Sequence, residues 1–196
     1  MRFNKDNLYH IYNRGNNKQQ IYFSNTDYLN FLQKINENIK PYCNILAWCL
    51  MPNHFHLLIF TNEQTIIEKK IGGLILQNLI CGIKQLLSSY TKSINKKYNR
   101  TGNLFQQKTK AKQINNTSKI NYALICFHYI HQNPWRAELA NKIEDWEFSS
   151  FKDYMELRNG KLCNKNLAKE LLDIDVRRLY EESYQLIPAN YTKEFD

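Results

Sequence analysis

Residues 44–60, NILAWCLMPNHFHLLIF, decide the fold. Two runs of branched and aromatic residues, 44–50 and 54–60, lie on either side of residues 51–53, MPN. Branched and aromatic residues favour β-strands, whereas proline and asparagine favour turns. This stretch therefore predicts two strands that follow one another directly along the chain.

A strand and a helix are predicted ahead of this stretch. Residues 9–14 (YHIYNR) form an aromatic and aliphatic run that ends at Gly15, which is typical of a short strand. Residues 25–40 carry aliphatic side chains at helical spacing and end before Pro41, which predicts a helix.

Mostly helical structure is predicted after this stretch. Residues 63–98 predict a long helical region that the glycine pair at residues 72–73 interrupts. Residues 108–114 (KTKAKQI) alternate weakly and predict an edge strand, because lysines are typical of exposed strand edges. Residues 118–132 predict a further helix, which a hydroxyl side chain at residues 117–118 can cap.

The predicted order of elements is β-α-β-β-α-β-α. This order indicates an α+β fold, with a ferredoxin-like antiparallel sheet and helices on one face. The 196 residues fit one domain with a small appendage. We assign residues 1–157 to the domain and residues 158–196 to a helical C-terminal extension, with short helices predicted near residues 150–157 and 167–184.

Several classes of protein are excluded by pattern. Every apolar run is shorter than the roughly 18 residues that a membrane-spanning helix needs, and the polar first residues do not resemble a secretory signal. Five scattered cysteines without a CxxC pair favour a reducing compartment over a disulfide framework. The chain lacks a glycine-rich phosphate loop. We therefore expect a cytoplasmic, nucleoid-associated protein with no membrane partner and no nucleotide cofactor.

The positive charge is concentrated in the middle of the chain. The formal net charge is +9, yet no Asp or Glu occurs between Glu68 and Glu138, where twelve Lys and Arg residues lie. An acid-free basic tract predicts a polyanionic partner such as nucleic acid. A solvated basic surface without a partner is the alternative.

The sequence His54-Phe55-His56 can form part of a metal site. Residues two apart on a strand point to one face, so both imidazoles can bind one cation while Phe55 points into the core. Two histidines on an ordinary half-exposed strand are the alternative. A zinc site that recruits Cys49 from the neighbouring strand is another alternative, but it lacks an evident fourth ligand.

The last predicted helix places Tyr129 one turn before Asn133, on the same face. A tyrosine can act as a covalent nucleophile, and an amide oxygen can bind a hard metal ion. Gln132 competes with Asn133 for this role, and an amphipathic helix that merely carries polar side chains is the alternative. Together with the histidine pair and the basic tract, these residues supply what phosphodiester cleavage requires.

The sequence resembles the single-tyrosine HUH transposases, and most closely the REP-associated tyrosine transposases, over about residues 8–155. The matching pieces are YHIYNRG at residues 9–15, CLMPNHFHLL at 49–58, KYNRTGNLFQ at 97–106, YIHQNPWRA at 129–137 and WEFSSF at 146–151.

The resemblance implies a ferredoxin-like catalytic domain that acts on single-stranded DNA, often beside a hairpin. His54 and His56 match the metal ligands, and Asn133 matches the amide that completes a site for Mg²⁺ or Mn²⁺. Tyr129 matches the nucleophile that forms a 5′-phosphotyrosine link. Related enzymes work as monomers or as homodimers. The residues expected to contact DNA are Arg14, Lys96, Lys97, Arg100, Lys108, Lys110, Lys112 and Arg136.

Two other functions stay open from the sequence. One is a non-catalytic protein of the same fold that binds DNA or RNA hairpins, with Tyr98, Phe105 and Trp135 as aromatic residues on which unpaired bases can stack. The other, weaker alternative is a structural protein stabilised by zinc. An intact set of histidines, tyrosine and amide favours the enzyme.

Overall fold

The computed structural model describes residues 1–115, 121–192 and 195. Its main sheet contains four antiparallel strands in the order β2-β3-β1-β6. The strands of this sheet are β1 (Leu8–Arg14), β2 (Cys43–Met51), β3 (His54–Thr61) and β6 (Lys110–Ile114). A separate two-stranded sheet consists of β4 (Glu68–Ile71) and β5 (Leu74–Gln77). The order of the main sheet confirms the predicted ferredoxin-like fold.

The helices among the described residues vary widely in length. They are α1 (Asn25–Asn38), α2 (Glu63–Ile66), α3 (Asn78–Lys97), α4 (Tyr122–Arg136), α5 (Phe151–Tyr154), α6 (Lys165–Leu172), α7 (Leu179–Ser183) and α8 (Ala189–Thr192). Short 3₁₀ turns lie at Asn16–Lys18, Lys40–Tyr42 and Ile143–Asp145. None of the helices in the described ranges combines the length and the apolar character that crossing a bilayer requires.

The two faces of the main sheet are covered by different helices. Phe55 and Leu57 of β3 belong to an apolar core beneath α1 and α3. Gly82 lets these two helices approach closely, because a Cβ atom at this position would lie 2.0 Å from the Asn38 carbonyl oxygen. The helix α4, which follows the βαββαβ unit, packs on the opposite face with Leu58. The expected placement of helices on one face of the sheet is therefore correct for α1 and α3. The helix α4 covers the other face, so the protein has three layers.

The prediction of a long helical region over residues 63–98 is wrong in its first half. The short helix α2 is followed by the β4–β5 hairpin, and only α3 is a long helix. Gly72 and Gly73 have φ angles of +55° and +82°, which suit a two-residue hairpin turn rather than a helix. Ile71, Leu74 and Ile75 of the hairpin are 50%, 60% and 68% exposed, so the hairpin projects from the core.

The end of α4 also differs from the prediction. We expected the helix to end before Pro134, but α4 includes this proline and continues to Arg136. A proline inside a helix removes one hydrogen bond and crowds the carbonyl group one turn earlier, and here the helix continues for only two residues beyond it. The predicted cap at residues 117–118 lies outside the described residues.

The described residues after 157 contain the short helices α6, α7 and α8, and side chains of α6 and α7 pack on the same face of the sheet as α4. The expected helix over residues 167–184 is divided into α6 and α7, because Asp173 ends α6 in the left-handed conformation. Leu172 and Leu179 are fully buried in the core on this face. The Arg158 guanidinium lies 2.7 Å from the Asp153 carboxylate and so joins the two sides of the predicted boundary at residue 157. The division into two units stays a prediction.

Candidate functional site

Three of the predicted site residues come together on the α4 face of the sheet. The rings of His54 and His56 are 4.9 Å apart, and the ring of Tyr129 lies 5.7 Å from that of His56 in an edge-on arrangement. The two histidines share a face because they are two residues apart on β3. Tyr129 is brought there by α4, and only 5% of its surface is exposed.

His10 is a site residue that the sequence did not identify. Its Nε2 atom lies 2.8 Å from Nδ1 of His56, and the two rings are within 11° of parallel. On β1 the neighbouring Tyr9 and Ile11 belong to the α1–α3 core, so alternation places His10 on the α4 face. The same alternation is visible in the sequence, but it does not distinguish a histidine that lines the site from one that only packs.

His10 and His56 are both neutral near pH 7. Burial, with a smaller contribution from Lys112, lowers the pKa of His10 to about 3. Burial and the nearby His10, His54 and Arg14 hold the pKa of His56 well below its ordinary value. Neutral imidazole is the form that binds cations. The Nε2 atom of His56 is buried and has no hydrogen-bond partner among the described residues, which fits a metal ligand.

The direction of α4 places Asn133 toward the first histidine of β3. Phe127 packs on a tyrosine whose hydroxyl donates to the Leu46 carbonyl, near the beginning of β2. One turn later, His131 is hydrogen-bonded to a serine whose N–H donates to the Trp48 carbonyl. Because α4 and β2 run in the same direction, Asn133 lies nearer than Tyr129 to the turn before β3. Its Nδ2 atom is buried and lacks a partner within the described ranges.

Gln132, the competing ligand from the sequence, faces a different part of the protein. Its Nε2 atom donates to the carbonyl oxygens of Ser183 and Gln185, at 2.9 and 2.8 Å. The side chain therefore binds the C-terminal segment to α4. The role of Asn133 as the metal-binding amide stays a prediction.

The zinc alternative finds no support in the structure. Cys49 is opposite His56 in the β2–β3 register, but it is fully buried in the core on the α4 face. In the part of the chain that the structure describes, no three His, Cys, Asp or Glu residues form a cluster able to hold a metal ion. The predicted ligand set consists of two histidines, His54 and His56, and the amide of Asn133, so it is not a cluster of that type.

Phe195, in the C-terminal segment, packs against the site. Its ring lies 5.2 Å from the ring of Tyr129 and 6.0 Å from that of His10, and only 1% of its surface is exposed. This contact could not be predicted from the sequence, because nothing in the local pattern connects residue 195 with residue 129. The tail thus forms part of the surroundings of the tyrosine.

A cavity of about 310 Å³ opens beside the two histidines of β3. Among the described residues, its lining combines these histidines with a tyrosine and with basic and amide side chains and contains no carboxylate: Tyr12, Asn13, Arg14, His54, His56, Gln106, Lys108 and Lys110. Three of the basic residues predicted to contact DNA are in this list. The cavity is therefore suited to an anionic ligand.

The other predicted DNA contacts are less closely connected to this cavity. Lys112 is opposite His10 in the β1–β6 register, whereas Lys96 and Arg136 are exposed at helix ends. The Lys97 ammonium lies 2.7 Å from the Asp27 carboxylate, and Arg100 donates to the Gln19 side chain at 2.5 Å. The DNA contacts of all eight residues stay predictions.

The aromatic residues named for base stacking have packing contacts. Phe105 is buried in the α1–α3 core, and the Tyr98 hydroxyl donates to Asp27 at 2.7 Å. Trp135 packs edge-on against Tyr184, with ring centroids 5.5 Å apart. These contacts within the protein explain the positions of the three aromatic side chains without a bound nucleic acid.

Comparisons with known proteins show the fold. No family model matches the chain, and no curated protein matches it. A solved structure described as that of the REP-associated tyrosine transposase bound to a REP hairpin is similar to this chain, with a TM-score of 0.58 and 16% sequence identity. The similarity covers 80% of this chain and 83% of that one. At this identity, the comparison shows a common fold.

Proposed function

We propose that this protein cleaves and rejoins single-stranded DNA beside a hairpin, with Tyr129 as the nucleophile. The observation that carries the proposal is the position of the Tyr129 ring, 5.7 Å from the His56 ring. A basic cavity adjoins the same histidine. The similar solved structure, whose description names a hairpin, supports the choice of substrate.

The proposed reaction is a transfer of a phosphoryl group from DNA to the protein. The Tyr129 hydroxyl oxygen forms a bond to phosphorus, the bond to the 3′ oxygen breaks, and the DNA leaves with a 3′-hydroxyl group. The product is a 5′-phosphotyrosine, which a later 3′-hydroxyl group can attack to rejoin the strand. Arg14, Lys108 and Lys110 bind and orient the phosphate backbone in the cavity.

His54, His56 and Asn133 would hold the cation that such a site needs. Two imidazoles and an amide suit Mn²⁺ well, and Mg²⁺ with additional water ligands. A bound cation supplies Lewis-acid stabilisation of the non-bridging phosphate oxygens. The chain itself orients the two imidazoles through β3 and the amide through α4.

A cleavage assay tests the proposal. A DNA hairpin with a single-stranded flank and a label at the 3′ end of the strand to be cleaved is incubated with protein and Mn²⁺, and covalent adducts are separated by denaturing electrophoresis. We expect an adduct with the wild type and none with Tyr129→Phe. Tyr180→Phe is the matched control, since this tyrosine is exposed and lies on α7. Adduct formation by Tyr129→Phe would overturn the assignment of the nucleophile.

A hairpin-binding protein without cleavage activity is the second candidate, and one observation favours it. The tyrosine is 5% exposed and is packed against Phe195, so the structure shows it in a covered state. In this case the wild type would bind the hairpin tightly and form no adduct at any Mn²⁺ concentration. Binding without an adduct would therefore replace the first proposal by the second.

A further inference from the structure

We propose that His10 is a positioning residue, which holds the imidazole of His56 so that its Nε2 atom faces the cation. The inference rests on the proposed function for the presence of a cation. It goes beyond that function because it assigns a role to a histidine outside the His54–His56 pair.

The hydrogen bond between the two rings requires a choice of tautomer. His10 Nε2 and His56 Nδ1 are 2.8 Å apart, and only one proton fits between two nitrogens at that distance. If His10 donates, the proton of a neutral His56 is on Nε2, and that atom cannot bind a cation. If His56 donates from Nδ1, its Nε2 atom carries a lone pair.

A cation on Nε2 therefore needs an acceptor for the Nδ1 proton of His56. The ring of His56 is 3% exposed, so water is not an available partner. The described residues provide one acceptor at Nδ1, which is His10 Nε2. Metal-binding histidines commonly donate their second ring N–H to such a partner, which fixes both the tautomer and the ring orientation.

The surroundings of His10 keep its ring in place. The residue is fully buried, and its strand β1 is paired on both sides, with β3 and with β6. The Tyr12 ring is stacked at 4.9 Å, and Tyr129 and Phe195 present edges at 6.2 and 6.0 Å. An acceptor held in this way is preorganised, so it orients His56 without an ordering cost at the moment of binding.

Calorimetric titration of the metal-free protein with Mn²⁺ tests the inference without an activity measurement. We expect His10→Leu to weaken Mn²⁺ binding about 10- to 100-fold, which is the usual effect of losing such a partner. His10→Gln should recover most of the affinity, since its amide oxygen can accept the Nδ1 proton. His128→Leu is the matched control, because His128 is also buried but is hydrogen-bonded to Ser183. Circular dichroism verifies that each variant is folded.

A second measurement needs only the wild type. Nitrogen-15 spectra of the histidine rings in the presence of Mg²⁺ should show the His56 proton on Nδ1 and none on Nε2. A proton on Nε2 would overturn the inference, as would wild-type affinity in a folded His10→Leu variant.

The two proposals fail in different ways. If the wild type binds Mn²⁺ and His10→Leu binds it equally well, the role of His10 is wrong and the proposed cation site stands. If His10→Leu lowers the affinity but no tyrosine adduct forms, the role of His10 stands and the cleavage proposal is wrong. If the wild type does not bind Mn²⁺, the cation site itself is wrong.

Discussion

The ring of Phe195 lies 5.2 Å from the ring of Tyr129 and is itself almost completely buried. A phosphate group can reach the tyrosine hydroxyl only if that hydroxyl becomes accessible. Phe195 and the proposed substrate would therefore occupy the same space beside the tyrosine. We therefore expect this contact to restrict access to the tyrosine.

We expect Phe195→Ala to increase the rate of adduct formation. Burial of a phenylalanine side chain contributes about 1.5–3 kcal/mol, so its loss should shift the balance toward the accessible state about tenfold or more. The measurement is the initial rate of adduct formation on the hairpin substrate. Leu186→Ala is the control, because Leu186 is 80% exposed and should leave the rate unchanged. An equal or lower rate for Phe195→Ala would contradict the prediction.

Lys108 and Lys110 should account for part of the salt dependence of DNA binding. Both line the cavity beside the histidines. Each contact with a single-stranded phosphate contributes about 0.7 to the slope of log affinity against log salt, so Lys108→Gln with Lys110→Gln should reduce the slope by about 1.4. Fluorescence anisotropy at several NaCl concentrations measures this slope. The control Lys161→Gln removes an exposed charge outside the cavity, and a similar loss there would refute the assignment.

Gln132 and Asn133 should have separate effects when each is replaced by alanine. Gln132→Ala removes donors from two carbonyl groups, and each such hydrogen bond contributes about 1 kcal/mol, so we expect the free energy of unfolding to fall by about 2 kcal/mol. Asn133→Ala should instead lower adduct formation about tenfold or more at limiting Mn²⁺. Urea unfolding and the adduct assay are carried out on both variants. The opposite pattern would make Gln132 the ligand.

Asp27 should stabilise the fold at neutral pH. Burial would raise the pKa of its carboxyl group, but hydrogen bonds from Lys97, Tyr98 and the Phe23 N–H outweigh this effect and lower the pKa. A lowered pKa means that the stabilisation is present above the ordinary value near 4 and is lost as the pH falls through the lower, folded-state value.

We therefore expect Asp27→Asn to reduce the free energy of unfolding by about 1–3 kcal/mol at pH 7. The difference from the wild type should become smaller as the pH falls below about 4 and should disappear once the pH is below the lowered pKa of the folded-state carboxyl group. Urea unfolding at pH 7 and pH 3 measures both values. Glu63→Gln, at an exposed ion pair with Lys5, should change stability by less than about 0.5 kcal/mol. An Asp27→Asn effect that is equal at both pH values would show that ionisation is not the cause.

The parts of the fold that the sequence predicts correctly are those with a clear period. The two-residue period of β3 places His54 and His56 on one face, and the helical period of α4 brings Tyr129 to that face. These positions depend on local geometry, which a short stretch of sequence determines. The order of elements then restricts the sheet to a few topologies.

The features that the sequence does not predict depend on contacts between distant residues. The pairing of Lys97 with Asp27 joins residues 70 positions apart, so the basic tract could not reveal which of its charges are already paired. The contact of Phe195 with Tyr129 is of the same kind. The β4–β5 hairpin was missed for another reason, since its aliphatic run fits helical and strand periods equally well and only the positive φ angles at the glycine pair distinguish them.

The strand β3 carries stabilising and chemical side chains at alternate positions. Phe55 and Leu57 belong to the core, whereas His54 and His56 belong to the site. A substitution at one position therefore affects one property, but a single residue inserted into the turn before β3 would exchange the two sets. The imidazoles would then face the apolar core, and the phenylalanine would face the proposed substrate. Homologous chains should thus vary in the composition of this turn and preserve its length.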